Sequence, residues 1–248
     1  LGDVYKRQPI DKLYKYDIIE STKQKGGETV KRSTYSVVLM DDVVAAIDAL
    51  AAQMGTSRSN LMNQILAEHV CCITPEKRMR SIFSYVEQQM NDAFRIQLQA
   101  SDAMLSVQSS LRYKYRPTIR YSVELLRSPK NSQIGWLRIA CRTQSQSLIH
   151  TIHAFFQLWI KLERAYDPDK TAEREYQLLP GRMIRSLHLS EPTTEEQLGT
   201  AIGDYIRMID AVMKTYFSEL LEQTEMNTCL QAVESQFVKE LPKLTLHL

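Results

Sequence analysis

The chain has no apolar run approaching the roughly 18–20 residues that a membrane span requires, and no secretory h-region is recognisable. Cysteine is scarce. Cys71, Cys72, Cys141 and Cys229 are the four, none in a CxxC spacing, and the adjacent Cys71 and Cys72 are poorly placed to bridge each other. That usage predicts free thiols in a reducing, cytoplasmic setting. P-loop, GxGxxG, GxSxG and HExxH motifs are all missing, so no enzyme and no cofactor is expected. A large excess of either charge is also lacking: the net charge of +2 names no partner by itself, and the local distribution has to be read instead. Repeats and low-complexity segments are absent. What remains, at 44% hydrophobic and 24% charged residues, is the composition of an ordinary globular protein.

One stretch organises the rest, Thr34 to Val70. Tyr35, Val37 and Leu39 alternate with Thr34, Ser36 and Val38, the period of a half-buried strand. Asp41 and Asp42 follow, suited to a helix start because their carboxylates accept from free backbone N–H groups. Val44, Ile47, Leu50, Ala51 and Met54 then keep helical spacing up to Gly55, a left-handed stop. Ser57 or Ser59 caps a second helix with Leu61, Met62, Ile65, Leu66 and Val70 on its apolar face. About forty residues cannot bury a core alone, and a lone strand leaves its backbone groups unpaired. Two copies that pair strands and interlock helices remove both problems.

With Gly55-Thr56-Ser57-Arg58-Ser59 between its helices, this stretch resembles the ribbon-helix-helix family of Arc/MetJ/CopG-like DNA-binding proteins, over about residues 31–72 only. The resemblance implies an intertwined dimer whose two-stranded ribbon enters the major groove of double-stranded DNA, where each base pair shows a distinct edge. It places Thr34, Ser36 and Val38 against the bases. Hydroxyls can serve any base edge, and Val38 can meet a thymine methyl. Many relatives carry longer polar or basic side chains there. Phosphate contact is implied for Ser57, Arg58 and Ser59 at the start of the second helix, with Lys31 and Arg32 adding to it. Between residues 31 and 72, however, Asp41, Asp42, Asp48 and Glu68 outnumber Lys31, Arg32 and Arg58, so the phosphate affinity of this module alone should be modest.

Residues 1–29 are expected to be a non-native or disordered leader. Leu1 to Gln8 looks like translated sequencing-adapter sequence. Lys25 to Val30 can be encoded by bases that hold a bacterial ribosome-binding site followed by a GTG start at Val30. The domain reading is then 30–72 for the DNA-binding module and 73–248 for a C-terminal α+β domain, mostly helical with an antiparallel meander.

In that second domain, Thr74-Pro75-Glu76 opens a helix expected to run to about Phe94, and the segment from Arg95 to Ser110 fits either helix or strand. Leu111, Tyr113 and Tyr115 alternate with Arg112, Lys114 and Arg116, and Ile119, Tyr121, Val123 and Leu125 with Arg120 and its polar neighbours, which predicts two strands. A turn at 128–132 and a strand from Ile134 to Arg142 complete the meander. A helix from about Gln144 to Tyr166, a mostly irregular segment from Asp167 to Glu191, a long helix opened by Thr193-Thr194 and a last helix from about Glu225 to Glu240 follow. The long helix has a heptad-like seam from Leu198 to Tyr216, read as domain core in preference to a coiled-coil contact.

The meander is basic: from Ser109 to Arg142 eight Lys and Arg stand against Glu124. Arg112, Lys114, Arg116 and Arg120 are a possible anion site for an anionic effector or flanking DNA; the plainer alternative is a solvated face neutralised by Glu163, Asp167 or Glu173. Cys141, His150 and His153 are weak metal-ligand candidates, and no metal is expected.

The functional expectation is a dimeric transcriptional regulator, a repressor, whose C-terminal domain serves oligomerisation, effector sensing or a protein partner, without membrane contact. A plasmid partition or relaxosome accessory protein and an antitoxin are the alternatives, separable by neighbouring genes.

Overall fold

Helix α1, Asp41–Gln53, begins on Asp41 and Asp42 and stops where Gly55 takes φ +61°. The N–H of Thr56 there returns to the carbonyl of Ala51 at 3.0 Å, closing backbone groups that a helix end leaves open. Helix α2, Arg58–His69, starts two residues later because the Ser57 hydroxyl accepts the N–H of Asn60. In this computed structural model the described residues are 36–70, 72–97, 102–114, 116–167, 174–189 and 191–248. Val37–Leu248 forms one unit, and Leu1–Ser36 another that lies outside the described residues except for Ser36. Thr34, Lys31 and Arg32 therefore lie outside them too. Ser36 to Met40 form neither helix nor strand.

Helix α3, Pro75–Gln89, has Thr74 as its cap and Pro75 in its first turn, as expected. It ends five residues before Phe94, because the Asn91 side chain takes the N–H of Ala93 at 3.0 Å and turns the chain. Strand β1, Phe94–Gln97, follows. The segment that fitted helix or strand holds β2, Met104–Ser110; alternation decides it, with Leu105 and Val107 buried.

The Leu111–Arg116 strand does not form. Leu111 to Pro117 is the connection from β2 to β3, in which the N–H of Leu111 donates to the Pro117 carbonyl and that of Arg116 to the Tyr113 carbonyl. Arg116 has φ +45°, outside strand geometry, and Pro117 has no N–H to carry a ladder. Leu111 is buried in the core, and Tyr113 packs its ring edge-on to Phe217, 5.1 Å between centroids. Those two apolar positions are satisfied by tertiary contact, which imitates strand alternation in the sequence.

Strands β3, Thr118–Lys130, and β4, Gln133–Cys141, form the expected hairpin, turning at Asn131 with φ +55°. Helix α4, Gln146–Tyr166, is capped by Ser145. The segment read as mostly irregular contains a second hairpin, β5, Tyr176–Leu179, and β6, Arg182–His188. Its turn is made by Gly181 at φ +67°. Helix α5, Glu195–Leu221, opens on a capping box of Thr194 and Gln197, and α6, Met226–Glu240, follows. A single 3₁₀ turn, Leu241–Lys243, comes after it.

The six strands pair antiparallel in the order β1-β2-β3-β4-β6-β5. Ile119, Tyr121, Val123, Leu137, Ile139, Met183 and Leu187 lie on one face and join the core residues of α3, α4, α5 and α6. The seam residues of α5, from Leu198 to Tyr216, are all core. Helices α3 and α5 approach closely: a Cβ at Gly199 would stand 2.5 Å from Tyr85 Cβ and 2.6 Å from the Ile82 carbonyl oxygen. The fold class is thus α+β, with α3, α4, α5 and α6 joined to one face of an antiparallel sheet.

Candidate nucleic-acid interface

Cap geometry places Ser57, Arg58 and Ser59 together at the N-terminus of α2, where free N–H groups and the helix dipole favour an anion. Ser57 spends its hydroxyl on the cap itself. Arg58 is not idle either: its Nε and Nη2 donate to both oxygens of Asp48 on α1. That hydrogen bond holds Asp48 below the usual carboxylate range. The arginine expected at phosphate is thereby paired within the module, across the Gly55 turn. Ser36 and Val38 are both exposed, Val38 at 99%.

The module also leaves much apolar surface in water. Val37, Val38, Leu39, Met40, Leu50, Met54, Ile65, Leu66, Val70 and Ile73 are all exposed, Met40 at 73% and Leu66 at 60%. Only Ala51 of α1 and Leu61 of α2 are buried among the described residues of that pair. In the sheet domain, by contrast, the apolar faces of α3, α4 and α5 are covered.

The second basic feature is the sheet face turned away from the helices. One ladder row runs Arg95, Gln108, Arg120, Ala140, Arg182 and Leu179 across the six strands. The next runs Gln97, Ser106, Ser122, Arg138, Ile184 and Gln177. Arg95 and Arg120 are exposed, and Arg138 and Arg182 half-buried. Burial holds Arg138 below the ordinary guanidinium value, Arg182 adds repulsion, and Glu124 partly offsets both. The Nε of Arg138 is buried without a hydrogen-bond partner. Of the four residues expected to form an anion site, Arg120 lies on this face. Arg112, Lys114 and Arg116 are exposed in the β2–β3 connection and share no strand with it, because the strand that was to align them does not exist.

No protein-family model, curated protein or solved structure matches the chain.

Two of the three acids expected to neutralise this face are elsewhere. Glu163 is buried behind the sheet, where Arg185 Nη2 approaches it at 3.2 Å and Tyr205 and Tyr176 donate to its two oxygens at 3.0 and 2.9 Å. Asp167 takes Arg174 Nη2 at 2.6 Å, and Glu173 lies outside the described residues. Arg185 and Arg174 also donate to the main-chain oxygen of Leu248, at 2.5 and 2.8 Å. Sequence reading missed this network. Its one signal was Arg185 itself, at an inward position between Met183 and Leu187, and a strand there was not recognised.

A polar cleft of about 390 Å³ between α5, α6 and the start of β1 was also unforeseen. Its buried Asp210 is already bonded by the Tyr121 hydroxyl at 2.9 Å and by Lys214 at 2.6 Å. Cys141 is buried at the end of β4, with its thiol pushed up to about 11 by desolvation, a poor state for metal ligation. His150 is exposed on α4, and His153 lies near Gln157. Among the described residues no group of three or more His, Cys, Asp and Glu is arranged to hold a metal ion, and no helix is long and apolar enough to cross a membrane.

Proposed function

We propose that the chain is a sequence-specific, DNA-binding transcriptional regulator, a repressor that acts as a homodimer through a β-ribbon formed by residues around 34–39. The observation that carries the reading is the apolar surface left open between Val37 and Ile73. Leaving Val38 to the bases, nine large apolar side chains are too many for a monomer's ordinary surface and point to an interface. They coincide with the stretch that resembles the ribbon-helix-helix family, in which a second copy covers such a face. The backbone of Ser36 to Met40 would find its ladder partner in that copy. The dimer would bring two α2 N-termini to the same side, each offering its free N–H groups and Ser59 to phosphate, with Arg58 to be drawn from Asp48. The reading fits a helix pair with little core of its own, attached to a domain that has a complete one.

Light scattering on the full chain is the test. A dimer is expected at micromolar concentration, and Val37→Pro, which removes a ladder donor, is expected to weaken it. Leu66→Ser, which places a hydroxyl in the covered face, should act in the same direction. A wild-type chain that stays monomeric and binds no duplex DNA sinks the proposal.

A further inference from the structure

At its described, ladder-paired positions the sheet face opposite the helices carries a one-sided charge. There stand Arg95, Arg120, Arg138 and Arg182, against Glu124. Three of the arginines share one row on β1, β3 and β6. They recur at every second strand, about 10 Å apart at the ordinary strand spacing. We propose that this arginine-bearing sheet face is a second duplex-DNA contact surface, which binds the phosphate backbone beside the site held by the N-terminal module. The proposal rests on the DNA-binding reading above and extends it to a surface that the family resemblance does not reach.

Charge selects the occupant. A second copy of the same face would set arginine against arginine, which is unfavourable at such contacts. Guanidinium groups match phosphate oxygens with two parallel N–H donors, and a duplex offers those oxygens as a continuous line of negative charge. The N-terminal module supplies little of this. Its acids outnumber its bases between residues 31 and 72, and Asp48 engages Arg58. Affinity for a polyanion then has to come from another surface, and the sheet carries the cations in ordered rows. The half-buried Arg138, whose Nε has no hydrogen-bond partner, sits beside Arg182 in the adjacent row and strand. An anion laid over the face would relieve their mutual repulsion.

The test compares the full-length wild type with Arg95→Gln/Arg120→Gln, Arg95→Lys/Arg120→Lys and Arg58→Ala. The probe is a long mixed-sequence DNA duplex, titrated between low and moderate salt. Both arginines of the double variants are exposed, and equal melting temperatures verify their folding. Loss of two phosphate contacts in each protomer, four in the dimer, should flatten the plot of log affinity against log salt by up to about 3.6, at roughly 0.9 per contact. The glutamine variant should show that flattening, and the lysine variant should keep the wild-type slope. If the glutamine variant binds with wild-type affinity and slope while Arg58→Ala is impaired, the sheet does not touch DNA and this inference falls alone. Equal losses in the glutamine and lysine variants also overturn it, because charge is then not the cause. A wild type that binds no duplex at the lowest salt removes both this inference and the reading it rests on.

Discussion

Arg58 at the start of α2 is bonded to Asp48 on α1, both donors meeting both carboxylate oxygens across the Gly55 turn. The residue best placed to meet a phosphate is thus held by an internal anion that competes for the same guanidinium. The pair is half open to solvent, with side-chain exposures of 54% and 44%, so water and salt screen it and a phosphate can displace it.

Asp48→Asn is therefore expected to strengthen DNA binding several-fold on every sequence, and Arg58→Ala to weaken it. The gain from Asp48→Asn should vanish in the Arg58→Ala background if the two act on one contact. Equilibrium titration of the four proteins with one duplex reads this out. An unchanged gain in the double variant would mean that Asp48 acts only as a nearby negative charge.

Base reading should separate from phosphate contact. Ser36→Ala is expected to change the ranking of operator sequences while leaving the salt dependence as it is, whereas Arg58→Ala should lower all affinities alike. Selection from a randomised duplex pool with each variant would reveal the difference. The same preferred site for wild type and Ser36→Ala would remove Ser36 from the base-contacting set.

Local signals were legible where they were local in cause. Gly55, Ser57, Thr74-Pro75 and Thr194 fix helix ends through caps and φ within a few residues, while α1 starts at Asp41 and Asp42 without a side-chain cap hydrogen bond, the two carboxylates acting only as charges in its first turn. The β3–β4 hairpin was legible because its alternation is long. The β5–β6 hairpin was not: β5 has four residues, and the inward Arg185 breaks the apolar alternation of β6. Only the distant Glu163, Tyr176 and Tyr205 explain that arginine. Leu111 to Arg116 erred the other way. Its alternation comes from Tyr113 reaching Phe217 on α5, about a hundred positions along the chain, a contact that no short window contains. The basic sheet face shares this origin, since Arg95 and Arg182 come from strands that the sequence pattern did not show.

Close packing of α3 on α5 supplies another test. A methyl at Gly199 would enter contacts of 2.5 and 2.6 Å with Tyr85 and the Ile82 backbone, so the helices would have to part. Gly199→Ala should destabilise by about 1–3 kcal/mol, the usual cost of overpacking, despite the higher helix propensity of alanine. Gly55→Ala meets no atom within 4 Å but keeps φ +61°, so its cost is backbone strain and should be confined to the α1–α2 pair. Thermal denaturation followed by circular dichroism, with hydrogen exchange of α1 and α2, separates the two.

The buried network behind the sheet sets the last expectation. Arg185 is fully buried, stacked over the Tyr205 ring at 4.4 Å and paired with Glu163 at 3.2 Å. Removing one partner of such a pair leaves an uncompensated charge in the core, at a cost of about 3–5 kcal/mol. Glu163→Gln keeps the shape and removes the charge, so urea denaturation should report a loss of that order. Asp167 adds a pH dependence. Burial alone would raise its pKa, but the hydrogen bond and charge of Arg174, with His247 behind them, outweigh burial and hold it below the usual carboxylate value. A carboxyl that binds its proton less tightly folded than unfolded contributes stability at neutral pH, and that stability drains away as pH falls through and below the normal carboxylate range near about 3.9. Asp167→Asn should therefore melt lower than wild type at pH 7, and the gap should close in acid. A gap that persists unchanged in acid would mean that Asp167 stabilises the fold through packing, with no contribution from its charge.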